Sequence, residues 1–350
     1  MKHIFLDTNI FIRENFFDGK KINELFRLSE SEHFKLVLTI ITIEEIKSNF
    51  KKHLKVAFKN HEIFMEAEHS RVLRNDSMEK NLFRNMNKKA IIANFNKKLD
   101  DLILTSNVEV IEYSKLDIKK VFDRYFANTP PFHHPDKKNE FPDAFAVELL
   151  EQWCEEEDRD CLVLTLDKGI KADEGSRLCI SDDYEGFLDS TLRELLDDRM
   201  SVLEDLFERN STFIDNNIKE WYEEKLGDES LYHHFVFEEI HDIEVVEINI
   251  LEKAYAVVST ENESINIEVV AQVEYVVRLT IDDSESSVYD YEDKVTLYFD
   301  TAVRDIKGND EAVLNISTYI MSANNYEDFF DIIDINEGFK FKVEDDTEWY

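Results

Sequence analysis

Glycine, proline and cysteine are all scarce in this chain of 350 residues, which has 7 Gly, 4 Pro and 3 Cys. So few glycines exclude a glycine-rich phosphate-binding loop. Three irregularly spaced cysteines are too few for a disulfide framework or a zinc site, so we expect reduced thiols, as in a cytoplasmic protein. Because the sequence has no run of 18 apolar residues and no leader-like start, we predict no membrane span and no membrane partner.

Basic residues are scarce only in the second part of the chain. The formal net charge is −36, yet residues 1–140 carry 25 Lys+Arg against 21 Asp+Glu, whereas residues 141–350 carry 16 against 56. Residues 47–98 have a net charge of +8, and residues 206–350 have a net charge of −26. The charge of the whole chain disfavours a nucleic-acid partner, but this asymmetry leaves the first part free to bind one.

Short apolar runs alternate with helical patterns up to about residue 181, which predicts an α/β part with a parallel sheet. The predicted strands are residues 3–7, 34–41, 108–111, 161–165 and 178–180. A basic helical insertion is predicted over residues 47–104, as one helix to about Arg74 and a second from Glu79. Thr42 is the expected N-cap of the first helix, with Glu45 at the spacing of a capping box.

The pattern changes after the α/β part. Residues 184–228 predict a helical connector that breaks near Asn210. Residues 229–350 alternate with a period of two and predict an acidic, antiparallel β-rich domain, either a half-exposed sheet or a small sandwich. Polar clusters at residues 282–284 and 307–310 predict turns between its strands.

Four acidic residues stand at equivalent places in the α/β part. Asp7 ends the first strand, Glu45 lies in the helix after the second, Asp143 lies in a helix opened by Pro142, and Asp167 follows the fourth strand. Because the carboxyl ends of parallel strands share one edge of a sheet, these side chains are expected to converge there. Neighbouring carboxylates repel one another, and Mg²⁺ or Mn²⁺, which prefer oxygen ligands, would relieve that repulsion.

The segments around these acids resemble those of PIN-domain nucleases. The matching segments are Phe5-Leu6-Asp7-Thr8-Asn9 and residues 43–46, 140–144 and 164–167. Residues 138–144 also match the Lys-x-Glu-Phe-Pro-Asp-Ala segment of a bacterial branch of that family. The resemblance covers residues 1–183 and implies a PIN-like α/β/α sandwich with a five-stranded parallel sheet. The basic insertion is longer than in minimal members, and the C-terminal β-rich domain lies outside the family pattern.

The resemblance implies a metal-dependent nuclease, most directly an endoribonuclease acting on RNA. It implies that Asp7, Glu45, Asp143 and Asp167 are catalytic and bind Mg²⁺ or Mn²⁺. The supporting residues would be Asn9 and Thr165, which orient the carboxylates, together with Glu44 and Lys138. Glu45 is preferred to Glu44 because the acid of the family directly precedes an apolar residue, which is Ile46 in this chain.

Lysines cluster over three turns of the helix that contains Glu45. They are Lys47, Lys51, Lys52, Lys55 and Lys59. At about 100° per residue most of them share a face, which predicts a phosphate-binding strip beside the acids; the alternative is a solvated helix face. Phosphate contacts position a nucleic acid without reading its sequence.

Several alternatives to an RNA-cleaving enzyme stay open. The protein could cleave DNA, or use a PIN fold to bind nucleic acid or protein without catalysis. A phosphatase of the haloacid dehalogenase type is disfavoured, because it needs a second aspartate where this chain has Asn9. The acidic C-terminal region could repel nonspecific nucleic acid, inhibit the basic insertion or hold a protein partner, and a homo-oligomer also stays open.

Overall fold

A computed structural model describes residues 1–75, 79–113, 116–132, 140–167, 176–232, 236, 239–261, 264–290, 295–319 and 330–335. The chain divides into two compact units, Met1–Leu188 and Asp189–Tyr350. None of the described helices combines the length and the apolar character needed to cross a membrane.

The first unit alternates strands and helices. The strands are β1 (His3–Leu6), β2 (Lys35–Thr39), β3 (Glu109–Ile111), β4 (Cys161–Leu164) and β5 (Leu178–Ser181). The helices are α1 (Thr8–Arg13), α2 (Lys20–Glu30), α3 (Ile40–Glu66), α4 (Lys88–Thr105), α5 (Ile118–Ala127) and α6 (Phe141–Glu157). Short 3-10 helices cover His69–Asn75 and Glu79–Phe83.

The five strands form one parallel sheet in the order β3-β2-β1-β4-β5. Phe5 of the central strand packs in a core cluster with Val147 and Trp153 of α6. Its neighbours Ile4 and Leu6 point to the opposite face of the sheet and are also fully buried. Both faces are therefore covered, and the predicted α/β/α architecture with a five-stranded parallel sheet is confirmed.

Helix α3 begins earlier than the sequence pattern predicts. Thr39 keeps an extended backbone, and its hydroxyl accepts a hydrogen bond from the backbone N–H of Thr42 at 3.1 Å. Thr39 is therefore the N-cap, and the expectation of Thr42 in that role, with Glu45 in a capping box, was wrong. The β-branched residues Ile40 and Ile41 look like strand by propensity, but this cap places them in the first helical turn.

The basic insertion is built from two helices joined by less regular segments. Helix α3 ends at Glu66 instead of near Arg74, and the second helix begins at Lys88 instead of Glu79. The side chain of Asn87 caps α4 by accepting from the N–H of Ala90, which fixes the later start. Phe50 of α3 stacks on Phe95 of α4 with 3.7 Å between ring centroids, which joins the two helices.

The second unit contains helices and an antiparallel sheet. Helix α7 (Tyr184–Leu196) includes the boundary between the units, and α8 (Arg199–Arg209) and α9 (Ser211–Leu226) follow it. The predicted break at Asn210 separates α8 from α9, and Asp197, with a φ of 45°, makes a further break between α7 and α8. The described strands β6 (Ile240–Glu261), β7 (Ser264–Asp290), β8 (Val295–Tyr319) and β9 (Phe330–Ile335) form one sheet in that order. The predicted antiparallel, β-rich C-terminal region is confirmed.

One face of this second sheet is apolar and covered. Alternate residues of β7, from Ile265 to Ile281, are buried. Tyr222 of α9 packs against Tyr275 of β7 and donates a hydrogen bond to Asp310 of β8 at 3.1 Å. Period-two alternation therefore marks a sheet with one buried face, as expected for antiparallel strands.

The predicted turns at residues 282–284 and 307–310 were wrong, because both clusters lie inside long paired strands. Gly308 pairs with Tyr275, and a Cβ on Gly308 would lie 2.4 Å from Cζ of the buried Tyr275 ring. The glycine thus makes room for a cross-strand aromatic ring instead of forming a turn.

This close approach predicts that Gly308→Ala destabilises the second unit by about 1–3 kcal/mol, as overpacking usually does. Thermal unfolding followed by circular dichroism measures the effect. The penalty should shrink in a Tyr275→Leu background, because the smaller side chain leaves space for the added methyl group. An equal penalty in both backgrounds would contradict the steric explanation.

Candidate functional site

Asp7 is fixed at the carboxyl end of the central strand. It follows Leu6 directly, is 7% exposed, and caps α1, with its Oδ1 accepting from the N–H of Thr8 at 2.7 Å. Its Oδ2 accepts from Asn9 Nδ2 at 2.7 Å and from the Thr165 hydroxyl at 2.6 Å. Three donors therefore hold a buried carboxylate in one orientation.

Asn9 and Thr165 connect the ends of β1 and β4. Asn9 Nδ2 also donates to the Thr165 hydroxyl oxygen at 3.2 Å, and its Oδ1 accepts from the N–H of Leu166 at 3.1 Å. The same hydroxyl oxygen accepts from the N–H of Asp167 at 3.0 Å. The network sets the path of the chain into Asp167 and connects it with the two residues, Asn9 and Thr165, for which the resemblance implies a supporting role.

The two adjacent glutamates of α3 have different surroundings. Glu45 Oε2 accepts a hydrogen bond from the hydroxyl of Thr8 at 3.1 Å, so it lies beside the residue that follows Asp7. Glu44 is exposed and pairs with Lys47 at 3.3 Å on the outer side of the helix. The geometry thus places Glu45, and not Glu44, at the acidic edge.

Helix α6 brings a further pair of acids to this edge. Asp143 lies in its first turn, next to a proline at the helix start, and Glu140 occupies the N-cap position without making a side-chain cap bond. Ligand oxygens of Glu140, Asp143 and Asp167 all lie within 4.8 Å of one another. Sequence reasoning assigned no role to Glu140, although Glu140 belongs to the same matching segment as Asp143.

The pKa values of these acids reflect burial and mutual repulsion. Burial, followed by the charges of Asp7, Glu45, Glu140 and Asp167, raises the pKa of Asp143 to about 8. Burial also raises the pKa of Asp7, and the charge of Asp167 adds to the rise. The pKa of Glu45 is raised by burial and by the charge of Asp7. The pKa of Asp143 therefore responds to the charges of the other three predicted acids, Asp7, Glu45 and Asp167.

The donor set suits a hard divalent cation. The three converging ligands are all carboxylates, and the described neighbours add only hydroxyl, amide and carboxylate oxygens. Such oxygen donors favour Mg²⁺ or Mn²⁺ over metals that prefer sulfur or imidazole. A cation would also offset the repulsion that raises these pKa values.

The predicted lysine strip divides into two groups. Lys47 is partly buried and pairs with Glu44 and with Asp100 of α4 at 3.7 Å. The other four lysines are exposed on α3: Lys51, Lys52, Lys55 and Lys59. Among them Lys52 acts on the site directly, because its charge lowers the pKa of Glu45 against the effect of burial. Lys138, a predicted supporting residue, lies outside the described residues.

Comparison with known protein families gives a match in the first unit. Residues 4–170 match the family model described as a PIN domain. That range contains Asp7, Glu45, Glu140, Asp143 and Asp167. Neither a curated protein nor a solved structure matches the chain.

The raised pKa of Asp143 predicts a pH-dependent cost to stability. An acid whose folded-state pKa is raised from 3.8 to about 8 keeps its proton in the folded protein over a range where the unfolded chain releases it. Its contribution therefore destabilises the folded protein progressively as pH rises from 4 to 8. In chelator, Asp143→Asn should raise Tm at pH 8 by roughly 2–4 °C, equivalent to about 1 kcal/mol, and by little at pH 4.

Asp101→Asn on the exposed face of α4 is the matched control, and it should show no such trend with pH. A gain for Asp143→Asn that is equal at pH 4 and pH 8 would contradict the repulsion described above. Differential scanning fluorimetry across this pH range measures both variants.

Proposed function

We propose that this protein is a metal-dependent nuclease that hydrolyses phosphodiester bonds, most directly as an endoribonuclease, because residues 4–170 match the family model described as a PIN domain. The observation that carries the proposal is the convergence of Glu140, Asp143 and Asp167 beside the hydrogen-bonded Asp7. Carboxylates at the carboxyl edge of a parallel sheet are placed where ligands of open α/β sheets bind.

Mg²⁺ or Mn²⁺ would be held by Glu140, Asp143 and Asp167, with Asp7 and Glu45 beside them. When bound, such an ion supplies a Lewis acid for the phosphoryl oxygen and lowers the pKa of a water molecule. Because Asp143 has a pKa of about 8, it must release its proton to act as a ligand. Affinity for the ion should therefore increase as pH rises toward 8.

The surrounding residues hold this arrangement in place. Thr165 and Asn9 keep the Asp7 carboxylate fixed, and Thr8 donates to Glu45. Partners that orient ligands in this way commonly change metal affinity or activity by about 10–100-fold when they are removed. We assign Thr165 and Asn9 as positioning residues.

The exposed lysines of α3 supply the electrostatic component of binding. Lys51, Lys52, Lys55 and Lys59 extend along the helix away from Glu45. We propose that they contact the phosphates of the substrate, which would make binding weaken as salt concentration rises. The second unit carries most of the negative charge, so it would disfavour nonspecific nucleic acid or hold a partner protein.

The assay that tests the proposal incubates the purified chain with mixed-sequence RNA and DNA in Mn²⁺, Mg²⁺ or chelator. Asp7→Asn and Asp143→Asn should each reduce cleavage by more than about 100-fold, because each removes a charge from the acidic cluster. If DNA is cleaved as fast as RNA, the result would favour the alternative of a DNA-directed nuclease. Cleavage that persists in excess chelator, or in both variants, would refute the metal-dependent mechanism.

The adjacent glutamates provide a matched pair for the same assay. Glu45→Gln should reduce cleavage by at least about 10-fold, whereas Glu44→Gln should leave it within about two-fold of the wild type, because Glu44 faces Lys47 and solvent. An equal loss of cleavage in Glu45→Gln and Glu44→Gln would show that cleavage depends on the total charge of α3 and not on the position of Glu45. Binding of RNA by all variants without any cleavage would favour the non-catalytic binding module.

A further inference from the structure

The turn that follows α1 holds two consecutive residues in a left-handed backbone conformation. Asn15 has a φ of 46° and Phe16 has a φ of 61°. Asparagine tolerates this conformation, but it is rare for a bulky side chain such as phenylalanine and costs free energy there. The backbone N–H of Phe16 donates to the carbonyl oxygen of Phe11, which holds the turn closed. Strain of this kind persists only where surrounding contacts impose it.

The ring of Phe16 packs against both helices of the basic insertion, and only 4% of the residue is exposed. Its ring meets Phe50 of α3 edge-on with 5.3 Å between centroids, and Phe95 of α4 with 5.5 Å between centroids. It also contacts the imidazole ring of His53, one turn beyond Phe50, at 5.7 Å. Because edge-to-face pairs are a favourable aromatic geometry, one side chain holds α3 and α4 at the same time.

Phe17 joins these contacts to the helices beside the sheet. It is 5% exposed, and its ring lies 5.4 Å from Phe95 of α4, 6.0 Å from Phe11 of α1 and 6.2 Å from Phe26 of α2. Its carbonyl oxygen accepts a hydrogen bond from Nζ of Lys98 of α4 at 3.1 Å. We call the four central rings the aromatic junction: Phe16, Phe17, Phe50 and Phe95.

Little else in the two helices of the insertion is buried. The structure describes α3 throughout, and no residue of α3 beyond Ile46 is buried. The buried residues of α4 are Phe95 and Leu99. These helices therefore have almost no core of their own, and the direction in which they leave the sheet depends on the aromatic junction.

The junction lies between the acids and the exposed lysines. Helix α1 starts from its N-cap Asp7 and has 6 residues before the turn that contains Phe16. On its other side, Phe16 contacts α3 at the two residues that flank Lys51 and Lys52 in the chain. A displacement of about 1 Å between a binding group and the reacting atoms can cost two orders of magnitude in rate. The position of the Phe16 ring therefore matters for any substrate that reaches both groups.

We propose that Phe16 is a positioning residue, whose ring fixes the lysines of α3 at a set distance from the acidic edge. A phosphate held by the lysines would then place a neighbouring phosphodiester bond at the acids. This inference rests on the proposed nuclease function and adds to it how the two parts of the site are kept in register. It also explains the strained turn, because glycine would suit the backbone at residue 16 but would leave α3 and α4 without the ring that joins them.

Distances between spin labels test the positioning without any cleavage. The labels are attached through Asn60→Cys in α3 and Glu30→Cys in α2, both at exposed positions. The background is Cys179→Ser, since the other two cysteines are buried. Double electron–electron resonance should give one narrow distance in the chain with Phe16 and a broadened distribution in Phe16→Gly. Phe16→Leu keeps an apolar side chain for folding but has no ring, and it should also broaden the distribution.

Cleavage of two substrates tests whether this distance matters for the reaction. One is a labelled 12-nucleotide RNA, and the other is bis(p-nitrophenyl) phosphate, which has a single phosphate and therefore nothing left for the lysines to hold. Phe16→Gly and Phe16→Leu should lower kcat/KM for the RNA by about 10-fold or more and leave kcat/KM for the small diester within about two-fold. A general loss of structure would lower both values together.

Two control variants separate the ring from the turn and from burial. Asn15→Gly relaxes the neighbouring backbone and keeps the ring, so the narrow distance and the ratio of the two kcat/KM values should be retained. Phe34→Leu removes a ring that is 2% exposed and contacts Phe187 of α7 instead of the insertion. It should change the cleavage of both substrates by the same factor.

An unchanged distance distribution in both Phe16→Gly and Phe16→Leu would overturn the inference. So would a broadened distribution in which kcat/KM falls equally for the RNA and the small diester, or falls for neither. If the unaltered chain cleaves neither substrate in Mn²⁺, the nuclease function is refuted, and the label distances still show whether Phe16 holds α3 in place.

Discussion

The constraint on which this structure depends is the mutual repulsion of carboxylates held at one edge of a parallel sheet. The pairing of Leu6 with Leu164 sets Asp7 next to Thr165, so the ends of β1 and β4 share one hydrogen-bond network. Burial and neighbouring charge both oppose ionisation there. The fold keeps these groups together because hydrogen bonds and helix starts hold each acid in place. A divalent cation would relieve the remaining repulsion between the carboxylates.

Helix starts position most of the cluster. Asp7 caps α1 with its own side chain, Thr39 caps α3 so that Glu45 lies in its second turn, and α6 opens at Phe141 with Asp143 in its first turn. Each helix begins directly after a strand or a turn at the same sheet edge. The capping interactions at each helix start therefore determine where its acid lies in the site, because the parallel register of the strands brings these helix starts to one edge.

Beside the acids, the first unit presents a basic surface. The exposed lysines of α3 carry positive charge outward from Glu45, and such a surface suits the phosphates of a nucleic acid. The net charge of the whole chain conceals this basic surface, since the second unit carries most of the acidic excess.

From the sequence alone, apolar patterning predicted the fold class, and the position of each acid after a strand or at a helix start predicted that Asp7, Glu45, Asp143 and Asp167 converge. The preference for Glu45 over Glu44 came from the resemblance to PIN-domain nucleases. Patterning and the position of each acid are local properties of the chain. Tertiary structure decided the start of α3, the role of Gly308 inside a strand and the entry of Glu140 into the cluster. Each of these depends on which distant residues pack together, and that packing outweighs local propensity.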